Sequence, residues 1–155
     1  VWTHPILSKH VPPHILQPAN IRRTKAPEED FVDRVSARES KKLADRGVMV
    51  SIGAHGQEEG LGSHWEMWSF VRGGMSPLEA LKAATATPAT ALGYIKDIGT
   101  LEAGKLADLV ILNADPLADI ANTDDIDSVM LGGRLYDAET MNETGGRARK
   151  KYYWE

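Results

Sequence analysis

Residues 48–68, VMVSIGAHGQEEGLGSHWEMW, place ionisable side chains directly after a short apolar segment. His55 comes first, and His64 lies further along the same stretch. Between them stand the polar residues Gln57, Glu58 and Glu59. An imidazole can coordinate Zn²⁺ at neutral pH and can also take up a proton. Because a purely structural domain would rarely place so much ionisable chemistry after a strand, this stretch is the first candidate for a functional site.

The elements around this stretch alternate between helix and strand. The apolar run at residues 48–52 predicts a short strand, and Gly47 predicts the left-handed end of the helix before it. Three segments have the Ser-x-x-Glu pattern of a capping box, which predicts the start of a helix at residues 36–39, 63–66 and 76–79. In each, a serine can accept the N–H of a glutamate three positions later while the glutamate returns the bond. Helices on both sides of a strand indicate an α/β unit.

The character of the chain changes after Gly93. The run ADLVIL at residues 107–112 predicts a strand, and IDSVMLGGRLYDAE predicts a β-hairpin. The hairpin turn is predicted at Gly132 and Gly133, because glycine tolerates the positive φ that tight turns require. The second half of the chain is therefore expected to be a small β structure.

The composition excludes several classes of function. A chain of 155 residues suffices for one ordinary domain, and its net charge of -4 argues against nucleic-acid partners. No apolar stretch is long enough to span a membrane, so we expect no membrane partner. The sequence does not decide whether the protein is cytoplasmic or exported. The chain begins with Val1 rather than Met, so we expect a processed product or a piece of a longer protein.

Three segments resemble the amidohydrolase superfamily: GMSPLEALKAATATPATALG, DIGTLEAGKLADLVILNADPL and VMLGGRLYD. Their order carries the likeness, which covers residues 41–139. Members of the superfamily, including imidazolonepropionase-like and prolidase-like enzymes, are metal-dependent hydrolases built on a (β/α)8 barrel with a small β-sandwich. A complete barrel needs about 250 residues. The resemblance therefore implies an α/β fold that holds the last strand and helices of the barrel, followed by part of the small β-sandwich domain.

The resemblance also divides the chain into three parts. Residues 1–40 would be an irregular proline-rich arm and a helix of the incomplete barrel, and residues 41–93 the last βα unit. Residues 94–155 would form the β-sandwich part with a tail that is either a last strand or a docking arm. The His-x-His metal motif of the superfamily does not occur in this sequence. We therefore expect a C-terminal fragment of an amidohydrolase-like enzyme.

The resemblance gives the opening stretch a role. In barrel enzymes the chemistry lies at the C-terminal ends of the strands, and His55 directly follows the expected last strand. Most of the family carries Gly-Thr-Asp here, and the Asp binds metal or acts as general base, whereas this chain has Gly53, Ala54 and His55. His55 is thus expected to be a catalytic base or a metal ligand, although it cannot bridge two metals as a carboxylate does. The alternative is a hydrogen bond within a tight turn.

The other candidates have weaker signals. His64 and Glu66 match the H-x-E of the family; His64 stays open between rim residue and substrate contact, and Glu66 is expected to be structural within its capping box. Lys105 and Asp108 of the GKLAD run are also expected to be structural. The residues expected at the rim, if they are not simply solvated, are Gln57, Glu58 and Glu59. Further but weaker ligand candidates are His4, His10 and His14.

The expected function is that of the C-terminal part of a metal-dependent amidohydrolase. The parent would cleave an amide, lactam or related C–N bond of a small-molecule substrate through metal-activated water, with zinc as the expected ion. This chain alone is expected to be inactive, and whether it holds a metal or none stays open. The alternative is a non-catalytic assembly or remnant domain. Since missing neighbours would leave strand edges and apolar surface uncovered, we expect a homo-oligomer or the remnant of a larger chain.

Overall fold

The computed structural model describes residue 9, residue 27, residues 31–55 and residues 60–144 of the chain. This described part is α/β, as the sequence predicts, with helices first and a small antiparallel sheet after them. The helices are α1 (Val32–Asp45), α2 (Gly62–Arg72), α3 (Pro77–Ala84) and α4 (Ala86–Ala91), and the strands are β1 (Leu109–Leu112), β2 (Ile126–Leu131) and β3 (Arg134–Asp137). A 3₁₀ helix, Ile120–Asp124, precedes β2.

Helix α1 is continuous, so the capping box predicted at residues 36–39 is wrong. The helix begins after Phe31 without a side-chain cap and runs through Ser36. Because residues before Ser36 are already helical, the N–H groups that a serine cap would satisfy lie inside the helix. At the other end Gly47 has a φ of 82°, the left-handed conformation that the sequence predicts there.

Helix α3 has the capping box that its sequence predicts. The Ser76 hydroxyl accepts the Glu79 N–H at 3.3 Å, and a Glu79 carboxylate oxygen accepts the Ser76 N–H at 2.7 Å. Pro77 occupies the first helical turn, where its missing N–H has no partner to lose. The hydrogen bond from the Ser76 backbone, followed by that from its hydroxyl, lowers the pKa of Glu79.

The core between the α-helices and the 3₁₀ helix is small. Met67 of α2, Ala80 of α3 and Ile120 of the 3₁₀ helix are buried at its centre. The partly buried side chains around them are Ile52, Trp68, Phe70, Val71, Leu81 and Ala84. Helices α1 and α2 meet at small residues: a Cβ on Gly73 would lie 2.5 Å from the Ala37 Cβ, so only glycine fits there. Close approach through small residues therefore fixes α2, the helix on which His64 and Glu66 lie.

The β-hairpin lies where the sequence predicts it. Strands β1, β2 and β3 form one antiparallel sheet in that order, with Val110 opposite Val129. Leu131 pairs with Arg134 across the turn, and the two turn glycines, Gly132 and Gly133, have φ values of 55° and 76°. The first strand is shorter than predicted because pairing with β2 begins at Leu109.

Residues 48–52 do not form a strand in the described part of the chain. The one sheet found there consists of β1 to β3. Ile52 instead donates its N–H to the Ala83 carbonyl at the end of α3, at 3.0 Å. A strand requires a neighbouring strand to pair its backbone groups, and residues 31–55 and 60–144 offer none at this position. The barrel itself is therefore not seen, although the α/β class is.

Large apolar side chains lie exposed on both the helices and the sheet. Examples are Val32 of α1, which is 74% exposed, and Val110 of β1 and Leu131 of β2, which are 54% and 58% exposed. The expected homo-oligomer or larger assembly stays a prediction. Within the described ranges, no helix combines the length and the apolarity needed to cross a bilayer.

Candidate active site

His55 lies in a strained loop, the 53–55 loop (Gly53, Ala54 and His55). Ala54 and His55 have φ values of 45° and 52°, and the His55 N–H donates to the Gly53 carbonyl to close a γ-turn centred on Ala54. Such conformations cost about 1 to 3 kcal/mol for each residue other than glycine, and they cluster at functional sites. The His55 side chain is exposed to solvent. The loop therefore presents an accessible imidazole at a strained position of the backbone.

Glu66 of α2 holds this loop. One carboxylate oxygen, Oε2, accepts the Gly53 N–H at 2.6 Å and the Ala54 N–H at 2.9 Å. Hydrogen bonds to an ionised carboxylate are roughly twice as strong as those between neutral groups. Two successive N–H groups thus converge on one charged acceptor, and this contact ties the residues before His55 to a packed helix.

This contact replaces the capping box predicted at residues 63–66, which is wrong. Helix α2 begins at Gly62, after Leu61, and no side chain caps it. The Trp65 N–H already donates to the Leu61 carbonyl at 3.0 Å, so Ser63 lies within the first turn. The Glu66 carboxylate is therefore free of the capping role and bonds to the loop instead.

The structure places the other sequence candidates only in part. His64 lies on α2, is half-buried, and has its Nδ1 shielded from solvent. The expected rim residues lie outside the described residues, namely Gln57, Glu58 and Glu59. The same holds for the ligand candidates His4, His10 and His14. The roles expected of these residues stay predictions.

Lys105 and Asp108 make contacts elsewhere, around the turn before β1. The Lys105 ammonium donates to the Ile95 carbonyl at 2.6 Å and to the Thr100 hydroxyl. The Asp108 carboxylate accepts the Gly132 N–H at 2.5 Å, at the tip of the hairpin. These contacts tie the chain before β1 to neighbouring turns, and neither involves the 53–55 loop.

The described residues do not by themselves fit a metal site. No group of three or more His, Asp or Glu side chains in the described ranges could hold a metal ion. His55 is thus a single candidate donor, whereas a catalytic zinc site takes three protein ligands and a water. Any metal bound at His55 would need ligands from residues outside those described.

A hydrogen bond that the sequence does not indicate joins the helices to the sheet region. The Trp68 indole N–H donates to the Thr123 hydroxyl at 3.0 Å, and Thr123 donates in turn to the Ile120 carbonyl at 2.9 Å. Thr123 is buried, with 3% of its surface exposed. Helix α2 is therefore held on one side by the 3₁₀ helix while its Glu66 holds the 53–55 loop.

The chain is similar to known hydrolases. The model of the amidohydrolase family matches residues 12–136. Ochratoxinase from Aspergillus niger is 32% identical over 110 residues, which are 68% of this chain and 23% of that enzyme. Imidazolonepropionase from Thermoplasma acidophilum is 38% identical over 79 residues, 49% of this chain and 19% of that enzyme. The chain thus spans about a quarter or less of the length of these relatives.

The solved structures agree with the sequence matches. A Xaa-Pro dipeptidase with bound methionine in its active site superposes with a TM-score of 0.60 at 30% identity. The superposition covers 65% of this chain and 25% of the dipeptidase. The predicted resemblance to imidazolonepropionase-like and prolidase-like hydrolases is confirmed. Since the family model covers most of its residues, the chain belongs to the amidohydrolase family.

Proposed function

We propose that the protein containing this chain hydrolyses an amide or related C–N bond, and that this chain supplies the catalytic residue His55. The observation that carries the proposal is the 53–55 loop. An exposed imidazole stands there on backbone held in the left-handed region, and a carboxylate fixes the two residues before it. Strain of this kind is retained where function requires it.

The chemistry proposed for His55 follows from its imidazole. It would take the proton from the water that attacks the substrate carbonyl carbon, and would then return it to the leaving nitrogen. Its second candidate role is as a ligand. A divalent metal, with zinc as the proposed ion, would polarise that carbonyl and lower the pKa of the attacking water. Because the Xaa-Pro dipeptidase is named for cleaving dipeptides, dipeptides are the first substrates to test.

His55→Ala tests this proposal in the protein that carries the chain. We expect kcat/KM to fall by about 10² to 10⁴, the usual contribution of a general base. Dipeptides, lactams and hydantoins would be assayed with Zn²⁺, Mn²⁺ or Co²⁺ added. Asp108→Ala is the control, because its carboxylate contacts the hairpin rather than the loop. His55→Ala activity equal to that of Asp108→Ala would overturn the role of His55.

A second candidate is a non-catalytic assembly or remnant domain. It is favoured by the single candidate ligand found among the described residues. Under both candidate functions we propose that residues 1–155 alone do not turn over substrate. The purified chain would be assayed with the same substrates and metals. Turnover that a chelator abolishes would show that the chain carries a complete site and would contradict this proposal.

A further inference from the structure

Glu66 is placed to act on His55 through the backbone. Its carboxylate oxygen accepts the N–H groups of Gly53 and Ala54, the two residues that precede His55. Glu66 in turn lies on a helix with fixed neighbours. Met67 is buried in the core, and the Trp68 indole is bonded to Thr123. The acceptor is therefore held by packed structure while the residues that it binds belong to a solvent-facing turn.

We propose that Glu66 is a positioning residue that fixes the direction of the His55 imidazole. The inference rests on the function proposed for His55. Without the carboxylate, two N–H groups lose their acceptor, and of the hydrogen bonds described within the loop only that from the His55 N–H to the Gly53 carbonyl remains to offset the cost of the left-handed conformations at Ala54 and His55. The loop would then relax toward φ values below zero. Such a rotation moves the imidazole, and a misplacement of about 1 Å can cost about 100-fold in rate.

The substitutions Glu66→Ala and Glu66→Gln separate the acceptor from its charge. The amide oxygen of glutamine can still accept both N–H groups, whereas alanine accepts none. We expect Glu66→Ala to lower kcat about 100-fold with KM within about threefold, and Glu66→Gln to restore kcat to within about tenfold of wild type. A kcat for Glu66→Ala within threefold of wild type, or no rescue by glutamine, would overturn the proposal.

Glu79→Ala is the matched control. Glu79 is also a glutamate near the start of a helix, and its carboxylate also accepts a backbone N–H, that of Ser76 at 2.7 Å. It lies on α3 and does not contact the 53–55 loop. If the loss in Glu66→Ala came only from removing a carboxylate that accepts a backbone N–H, whatever its place in the fold, Glu79→Ala would show a similar fall in kcat. We expect kcat of Glu79→Ala to stay within about twofold of wild type.

The double variant His55→Ala/Glu66→Ala tests whether Glu66 acts through His55. We expect it to be no slower than His55→Ala alone, because there is no imidazole left to position. Independent, multiplicative losses would overturn the positioning role. A His55→Ala variant with normal activity would instead overturn the function proposed for His55, and amide exchange would then still decide whether Glu66 holds the loop.

Amide hydrogen exchange gives a readout that needs no activity. The Gly53 and Ala54 amides should exchange at least about tenfold faster in Glu66→Ala, because their acceptor is gone, while the Ser76 amide should not change. Glu66→Gln, which keeps an acceptor oxygen, should show smaller changes and serves if Glu66→Ala does not fold. Equal exchange at Gly53 and Ala54 in Glu66→Gln, Glu66→Ala and wild type would overturn the proposal.

Discussion

Two turns of this chain share left-handed backbone and a carboxylate that accepts an N–H group, and they differ in their residue types. At the 53–55 loop, Glu66 accepts backbone N–H groups from a turn whose φ values are 45° and 52°. At the hairpin tip, Asp108 accepts a backbone N–H from a turn whose φ values are 55° and 76°. The hairpin uses two glycines, Gly132 and Gly133, which adopt these angles without a steric penalty. The loop uses an alanine and a histidine.

The difference separates a structural turn from a candidate functional one. Glycine is the cheapest residue in the left-handed region, so a turn that serves only to reverse the chain is expected to use it. The 53–55 loop instead places Cβ atoms where they cost free energy. Since glycine has no side chain, a turn that must carry an imidazole cannot use it at that position. Met141 also has a positive φ, of 58°, so the strain at Ala54 and His55 supports the role proposed for this turn only together with the imidazole that the turn carries.

The largest effect on stability is expected from replacing the two glycines of the hairpin turn by residues that carry a Cβ. Replacing both Gly132 and Gly133 by alanine should lower the free energy of unfolding by about 2 to 4 kcal/mol, since left-handed backbone costs about 1 to 2 kcal/mol per residue. A Cβ at Gly132 meets nothing within 4 Å, so the cost there is conformational. Urea unfolding measures it. Gly53→Ala, with open space and no positive φ, should be nearly neutral, and an equal loss there would contradict this account.

A smaller effect is expected at the carboxylate that holds the hairpin. Asp108→Ala removes the acceptor of the Gly132 N–H and should lower the free energy of unfolding by about 1 kcal/mol, the usual net value of a hydrogen bond. Asp108→Asn keeps an oxygen and should lose less. Thermal unfolding would measure both. Equal destabilisation of the two variants would show that the charge rather than the acceptor oxygen matters at this turn, because both variants lack the charge.

At the 53–55 loop, a substitution is expected to raise the free energy of unfolding rather than lower it. Ala54→Gly relieves left-handed strain and should raise the free energy of unfolding by up to about 1 kcal/mol. The same change loosens the residue next to His55, so kcat should fall while stability rises. Thermal unfolding and steady-state kinetics on the same sample would test this. A variant that is less stable than wild type would show that Ala54 is not strained.

The smallest effect is a pH dependence of stability at Asp137, the last residue of β3. The Thr140 hydroxyl, followed by the Thr140 N–H, lowers the pKa of Asp137 below its ordinary value. The stabilisation is therefore complete above the unfolded pKa, near 3.9, and is lost as the pH falls through the lower folded value. Asp137→Asn should show a smaller loss of melting temperature than wild type between pH 5 and pH 3. Parallel curves for the two proteins would contradict this origin.

Elements that depend only on residues close to one another in the sequence could be predicted. The capping box of Ser76 and Glu79, the glycine turn of the hairpin and the left-handed Gly47 all appear as expected. The segment at residues 48–52 does not, because a strand depends on a partner that local sequence does not specify. The box expected at Ser63 fails for a related reason: helix α2 starts earlier, and this depends on the Leu61 carbonyl rather than on serine.

The candidate site could also be predicted only in part. His55 could be singled out because an imidazole after an apolar segment stands out in the sequence, and the family resemblance gave it a position. The contact of Glu66 with Gly53 and Ala54 could not, because residues 55–65 separate the partners and local rules do not specify contacts over that distance in the sequence. The positive φ values of Ala54 and His55 could not be predicted either, since only a few per cent of non-glycine residues adopt them, even though histidine is enriched among those.

The hydrogen bond between Trp68 and Thr123 has a consequence for engineering this protein. A chimaera that takes its helices from one relative and its sheet from another would separate the two residues unless both parents carry them. An unmatched exchange leaves a buried hydroxyl or an indole N–H without its partner, and each such orphan costs about 1 to 3 kcal/mol. Crossover points for recombination are therefore best placed before residue 62 or after residue 124, so that both partners are inherited together.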